Sequence, residues 1–194
     1  MSSIVKIESV PSAEDEVFAK EARRLYSTMF GKLLEDDDET PSLICDRIFL
    51  GSAPDARNLE KLQRHHIKYV LNMTGSTSYP VDFFTVSGHS HIILLTLDTH
   101  DEDNYDISSH FPVALDFIRK SLNTDDGAVL VHCAAGVSRS ATIVAAYLIA
   151  TYHIGATEAV LRVNQARPCA CPNIGFLQQL LRFERTVNEM FKAI

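Results

Sequence analysis

What this chain lacks narrows it first. No apolar run reaches the roughly eighteen residues of a membrane-spanning helix, so no span is expected. The opening Met1-Ser2-Ser3-Ile4-Val5-Lys6 has no long apolar core, so no secretory signal is expected. With serine rather than glycine at position 2, no N-myristoylation is expected. Cysteine is scarce: four in 194 residues, with no secretory leader, suit a reducing compartment rather than a disulfide framework. The expected location is therefore cytoplasmic or nuclear, and the glycosylation-like Asn72-Met73-Thr74 carries no weight there. Positive charge is also short. A formal net charge of −7 argues against nucleic acid as a main partner. Cys169-Ala170-Cys171 offers too few soft ligands for a structural metal site, so neither metal nor cofactor is expected.

What is present is an apolar content of 46%, enough for one globular domain with a sizeable core. Residues 1–42 stand apart in composition. From Ser12 to Leu34, Val17, Leu25, Met29 and Leu33 recur at helical spacing, with Asp15 and Glu16 suiting the positive helix start. The block Glu35-Asp36-Asp37-Asp38-Glu39 should end that helix in a solvated linker. The region reads as a helix packed on the domain, or as an element that helps select a substrate or dock a partner. The domain proper is expected over 43–194.

Within it, Leu43–Ser52 reads as strand, turn and strand, and Ala56–Arg64 as a helix introduced by Pro54 and Asp55. Ile67–Met73 reads as an interior strand and Thr74–Pro80 as a turn-rich loop on the rim. Val81–Val86 reads as a further strand of poor alternation, and His91–Leu97 as a buried strand. Asp106 is suited to open a helix over Ile107–Leu122, and Asn123–Gly127 is a turn. Ala128–Val131 is an apolar strand, and helices follow from Ser140, over Thr157–Ala166 and over Phe176–Phe191. Strands alternating with helices give the expected class, α/β, with a mostly parallel central sheet covered by helices on both faces. In such sheets the site lies beyond the strand C-termini.

One strand end carries the chemistry. After Val129-Leu130-Val131 come His132-Cys133-Ala134-Ala135-Gly136-Val137-Ser138-Arg139-Ser140, a tight loop opening a helix. Small residues at Ala134, Ala135 and Gly136 let consecutive N–H groups converge on one point, and glycine tolerates positive φ. The helix start adds its positive end there. Arg139 offers a planar two-pronged donor to phosphate oxygens, which lysine does not. Cys133 lies in that field, which favours the sulfur anion. Nucleophile and phosphate cradle arrive together.

His132-Cys133-x5-Arg139-Ser140 resembles the HCxxGxxR[ST] signature of the cysteine-dependent protein phosphatases, and its variant here is similar to that of the dual-specificity group. The resemblance runs from about Leu43 to the C-terminus and implies the cysteine-phosphatase fold. It implies Cys133 as nucleophile, Arg139 as phosphate clamp, and Ala134, Ala135, Gly136, Val137 and Ser138 as phosphate-binding loop. Ser140 would steady the leaving thiolate. His132 reads as a buried imidazole that braces the loop. A family pattern, D-x5-[IL]-x3-F, matches Ile107 and Phe111 and marks Asp101 as general acid, 133 − 101 = 32 residues before the cysteine. Asp98, directly after a strand, is the alternative. Arg167-Pro168-x3-Pro172-Asn173-x-Gly175-Phe176 resembles the element before the family's last helix, with Asn173 a loop buttress and helix cap. Cys169 and Cys171, unusual there, read as structural thiols, or as resolving partners for an oxidised Cys133.

The short chain shows no insertion that would build a deep tyrosine-only slot, and no extra regulatory domain is expected. It resembles the small atypical members, implying a phosphoprotein substrate, with a phosphorylated protein kinase as one candidate. A phosphoinositide, glycan or RNA 5′-phosphate is the alternative substrate, and a phosphate-binding module without turnover is the other. Oligomeric state is left open.

Overall fold

In the computed structural model, residues 12–30, 41–77, 82–124 and 127–192 are described. The strands are β1 (Ser42–Cys45), β2 (Ile48–Gly51), β3 (Ile67–Asn72), β4 (Ile93–Thr96) and β5 (Ala128–His132). The helices are α1 (Ala13–Phe30), α2 (Ala53–Arg57), α3 (Leu59–Arg64), α4 (Phe83–Val86), α5 (Phe111–Leu122), α6 (Arg139–Tyr152), α7 (Ala156–Ala166) and α8 (Ile174–Lys192). The sheet order is β1-β2-β5-β3-β4. Only the edge hairpin β1–β2 is antiparallel; β2, β5, β3 and β4 pair in parallel.

β5 is buried along its whole length, which explains its unbroken apolar run. Side chains alternate across a strand, so Val129 and Val131 enter the core under α1, α5, α6, α7 and α8. Ala128 and Leu130 enter the second core, with Ala56, Leu62 and Phe84 from α2, α3 and α4. Helices therefore cover both faces, as expected. Each fully buried aliphatic side chain contributes roughly 1.5–3 kcal/mol, and β5 spends its apolar residues on both layers.

Four expectations change. The strand expected as buried over His91–Leu97 runs over Ile93–Thr96 at the sheet edge, with Ile93 exposed and the rest half-buried. Val81–Val86 is not a strand: Phe83–Val86 is a short helix with Phe84 buried and Val86 exposed, and Val81 lies outside the described residues. Alternation would have put Phe84 and Val86 on one face, which their burial contradicts. The helix expected over Ala56–Arg64 begins at Ala53 and breaks at Asn58, whose Oδ1 accepts the Lys61 N–H at 3.0 Å and caps α3. The helix expected from Ile107 starts as a 3₁₀ turn, Ser108–His110, before α5. Asp106 does hold that start, accepting the Ser109 N–H at 3.2 Å.

α1 is closed by a capping box in which Ser12 Oγ accepts the Asp15 N–H at 3.1 Å and Asp15 accepts the Ser12 N–H at 3.2 Å. Its Ala22, Leu25 and Met29 enter the main core. Across to α8, Asp15 pairs with Arg182 at 2.6 Å and Glu14 pairs with Arg185. Such exposed pairs contribute at most about 1 kcal/mol each, so apolar burial holds α1 in place. Leu33, Leu34 and the acidic block lie outside the described residues.

Candidate active site

The loop between β5 and α6 is shaped from outside by its carbonyls. His132 Nδ1–H donates to the Cys133 carbonyl at 3.2 Å. The Ala53 N–H, at the start of α2, donates to the Ala134 carbonyl at 3.1 Å. Arg167 donates through Nη2 to the Ala135 carbonyl at 3.2 Å and through Nε to the Gly136 carbonyl at 3.0 Å. The Cys171 N–H donates to the Val137 carbonyl at 2.8 Å. A planar trans peptide points its C=O and the next N–H in opposite directions. With the carbonyls of 133–137 turned outward, the N–H groups of 134–138 turn inward, an anion-binding nest at the start of α6.

Gly136 is forced. It sits at φ +71°, and a Cβ there would lie 2.5 Å from the Gly51 carbonyl oxygen and 2.9 Å from Arg167 Nη2. Behind this contact, α2 starts with its own capping box, Ser52 with the buried Asp55, which also pairs with Lys61 at 2.9 Å. The back wall is thereby fixed before any ligand arrives.

Cys133 is 2% exposed, and the Ser140 hydroxyl, on the first turn of α6, donates to its sulfur at 3.2 Å. Arg139 donates through Nη1 to the Thr99 carbonyl at 2.9 Å and to the Met73 carbonyl at 3.3 Å, residues just beyond β4 and β3. Thr99, itself buried, donates through Oγ1 to the same Met73 carbonyl at 2.5 Å. Arg139 Nε is buried with no hydrogen-bond partner among the described residues. An unmet buried donor costs about 1–3 kcal/mol, which an incoming oxyanion would recover.

Asp101 reaches the loop from the other side. Its Oδ1 accepts from Ser138 Oγ at 2.7 Å and from Asn173 Nδ2 at 2.9 Å. Its Oδ2 lies 3.6 Å from Arg139 Nε, an ion pair but longer than a hydrogen bond. Asn173 also caps α8, its Oδ1 accepting the Phe176 N–H at 2.8 Å, and its own N–H donates to Ser138 Oγ at 3.0 Å. Asp98 instead lies against Gly75, where a Cβ would come within 2.4 Å of its carboxylate. Sequence reasoning placed Ser138 as loop lining only, and it missed Arg167, Thr99 and Met73. Arg167 stood in a quoted motif, but Thr99 and Met73 act through backbone carbonyls, for which side-chain type gives no signal. The described cysteines are all free, and burial pushes the Cys171 thiol up to about 11, ill suited to thiolate chemistry.

Residues 48–186 match the dual specificity phosphatase catalytic domain. The chain belongs to the dual-specificity phosphatase family. It is 39% identical over 148 residues to human dual specificity protein phosphatase 9, covering 76% of this chain but 37% of that protein. To human dual specificity protein phosphatase 26 it is 38% identical over 148 residues, covering 75% of this chain and 68% of that one. Among solved structures, a mouse putative dual specificity phosphatase complexed with zinc tungstate superposes with a TM-score of 0.70. It is 27% identical, covering 81% of this chain and 96% of that one. Human DUSP28 superposes at 0.68 with 27% identity, covering 76% and 94%. The chain thus carries a dual-specificity protein phosphatase catalytic domain.

Two consequences of this phosphatase loop are measurable. Burial pushes the His132 imidazole down to about 4 from 6.5, so the folded protein holds it neutral. Above pH 6.5 neither folded nor unfolded chain binds the proton, and this stability is fully present. As pH falls from 6.5 towards 4, only the unfolded chain takes the proton, and about 3 kcal/mol is lost. Urea unfolding of wild type and His132→Gln across that window should show a steeper fall in wild type, the Asp15 carboxyl, its pKa lowered by the hydrogen bond from Arg182, contributing equally to both. Second, Arg167→Met releases the carbonyls of Ala135 and Gly136 and so frees the peptides to turn. Inhibition by inorganic phosphate should weaken about tenfold or more, equivalent to about 1.4 kcal/mol.

Proposed function

We propose that the protein hydrolyses phosphotyrosine and phosphoserine or phosphothreonine in protein substrates through a phosphocysteine intermediate. The observation that carries this reading is the sulfur of Cys133 in a loop whose carbonyls turn outward, with the buried Arg139 Nε of the same loop free of hydrogen bonds. In the first step Cys133 attacks phosphorus as an anion; the S–P bond forms as the P–O bond breaks. Asp101, protonated, gives its proton to the departing oxygen. Oδ1 accepts from Ser138 and Asn173, so Oδ2, which faces Arg139 Nε at 3.6 Å without a hydrogen bond, is the oxygen that carries that proton. In the second step the Asp101 carboxylate takes a proton from water, the water oxygen attacks phosphorus and the S–P bond breaks. The Ser140 hydroxyl steadies the returning sulfur anion. Arg139 and the loop amides supply the positive charge that phosphoryl transfer requires.

Asp98, Asp101, Glu102 and Asp103 are all exposed beside the site. An acidic rim repels polyanions, which favours a phosphoprotein over a phosphoinositide or RNA 5′-end. A phosphorylated protein kinase remains one candidate. Residues 43–194 would form the catalytic unit with α1 as a brace, in the reducing cytoplasm or nucleus. No described helix is long and apolar enough to cross a membrane. Phosphate release should be compared across phosphotyrosine and phosphothreonine peptides, phosphoinositides, phosphoglycans and RNA 5′-ends. Both peptide classes should turn over at least about tenfold faster, by kcat/KM, than the polyanions. A preference for lipid, glycan or RNA would overturn the protein-substrate reading.

A further inference from the structure

The segment carrying Asp101 has no ladder of its own from 97 to 107, yet its backbone polar groups must find partners. It finds them on α8. A Cβ on Gly175 would lie 1.7 Å from the Asp103 carbonyl oxygen and 2.8 Å from its Cα, so the segment rests directly on the first turn of α8. One turn further along the same face, Gln179 spans the segment. Its Nε2 donates to the Tyr105 carbonyl at 2.7 Å, and its Oε1 accepts the Ser108 N–H at 2.9 Å. Those partners fix the amide orientation, because the reversed amide would set oxygen against carbonyl and N–H against N–H. Ile107 between them is fully buried, and the Tyr105 hydroxyl donates back to the Asp98 carbonyl at 3.1 Å.

We propose that Gln179 is a positioning residue for Asp101, holding the general-acid segment against α8 at the height of the phosphate loop. The inference rests on Asp101 as general acid. At its catalytic end the carboxyl is held by Ser138 and Asn173, and neither controls where the chain beyond Asp101 lies. Gln179 controls that path through the backbone. Proton delivery is steeply sensitive to placement, so loosening the path costs rate where the leaving group needs the proton and little where it does not.

Gln179→Glu keeps the acceptor for Ser108 and sets a carboxylate against the Tyr105 carbonyl; Gln179→Ala removes both bonds. The side chain is only part-buried, so the domain should fold in both variants. The test measures kcat for phenyl phosphate and for an activated nitroaryl phosphate, in wild type, both variants, Asp101→Asn and the double variants. Expected is a loss of about tenfold on the poor leaving group and under about twofold on the activated one, with KM little changed. In the Asp101→Asn background, adding a Gln179 substitution should cause no further loss. Equal losses on both substrates, or an undiminished further loss in the double variants, would overturn the inference alone. Asp101→Asn without any leaving-group dependence would overturn the general-acid assignment and the positioning role together.

Discussion

Cys133→Ser should lower turnover by at least about four orders of magnitude while leaving phosphopeptide affinity within a few-fold. Serine is nearly isosteric, and the contacts that turn the loop amides inward are made by neighbouring backbone, by His132 and by Arg167, not by the sulfur. The bowl therefore survives. What disappears is the proposed nucleophile, because a hydroxyl needs an adjacent base. The side chain that hydrogen-bonds the Cys133 sulfur is Ser140, a donor and no base, while His132 turns its Nδ1 to the Cys133 carbonyl. Single-turnover kinetics and calorimetric titration with a phosphopeptide separate the two effects. Rapid acid quench of the wild type should trap phosphate on Cys133. Turnover within about a hundredfold of wild type in the serine variant would mean that another group attacks phosphorus.

Arg139→Lys should cost about a thousandfold in kcat/KM, roughly 4 kcal/mol, although it preserves the charge. The guanidinium is seated before substrate arrives: Nη1 is divided between the Thr99 and Met73 carbonyls, and Nε waits without a hydrogen bond. One ammonium does not occupy both that seat and the two-pronged contact with phosphate. Charge grows on the phosphoryl oxygens during transfer, so kcat should fall along with kcat/KM. A lysine variant within tenfold of wild type would show that point charge, not forked geometry, holds the phosphoryl group.

The sheet was legible in the residues because β5 is an apolar run and β3 a β-branched and aromatic stretch of strand length, and the loop was legible because its chemistry sits in consecutive positions. Gly136 at φ +71° is where a small residue was expected to curl the backbone. Val81–Val86 misled because so short an apolar stretch has no period to distinguish strand from helix. The rest of the site is assembled across the fold. Thr99 and Met73 lend carbonyls, which any residue type carries. Arg167 meets Ala135 only because α7 ends beneath the loop, and Gln179 meets Tyr105 only because α8 passes under the acid segment. Such partners are separated by tens of positions, and no local pattern announces them.

The reactive sulfur is attached one residue past the strand that both layers of the molecule grip. Motions that fray an edge, lift a surface helix or open the margin of the sheet leave that anchor where it is. Only a collapse of the whole interior would displace it. Hydrolysis of an activated aryl phosphate, which has little need of the Asp101 proton, should therefore switch off abruptly on heating, in step with the cooperative melting of the interior, instead of fading ahead of it.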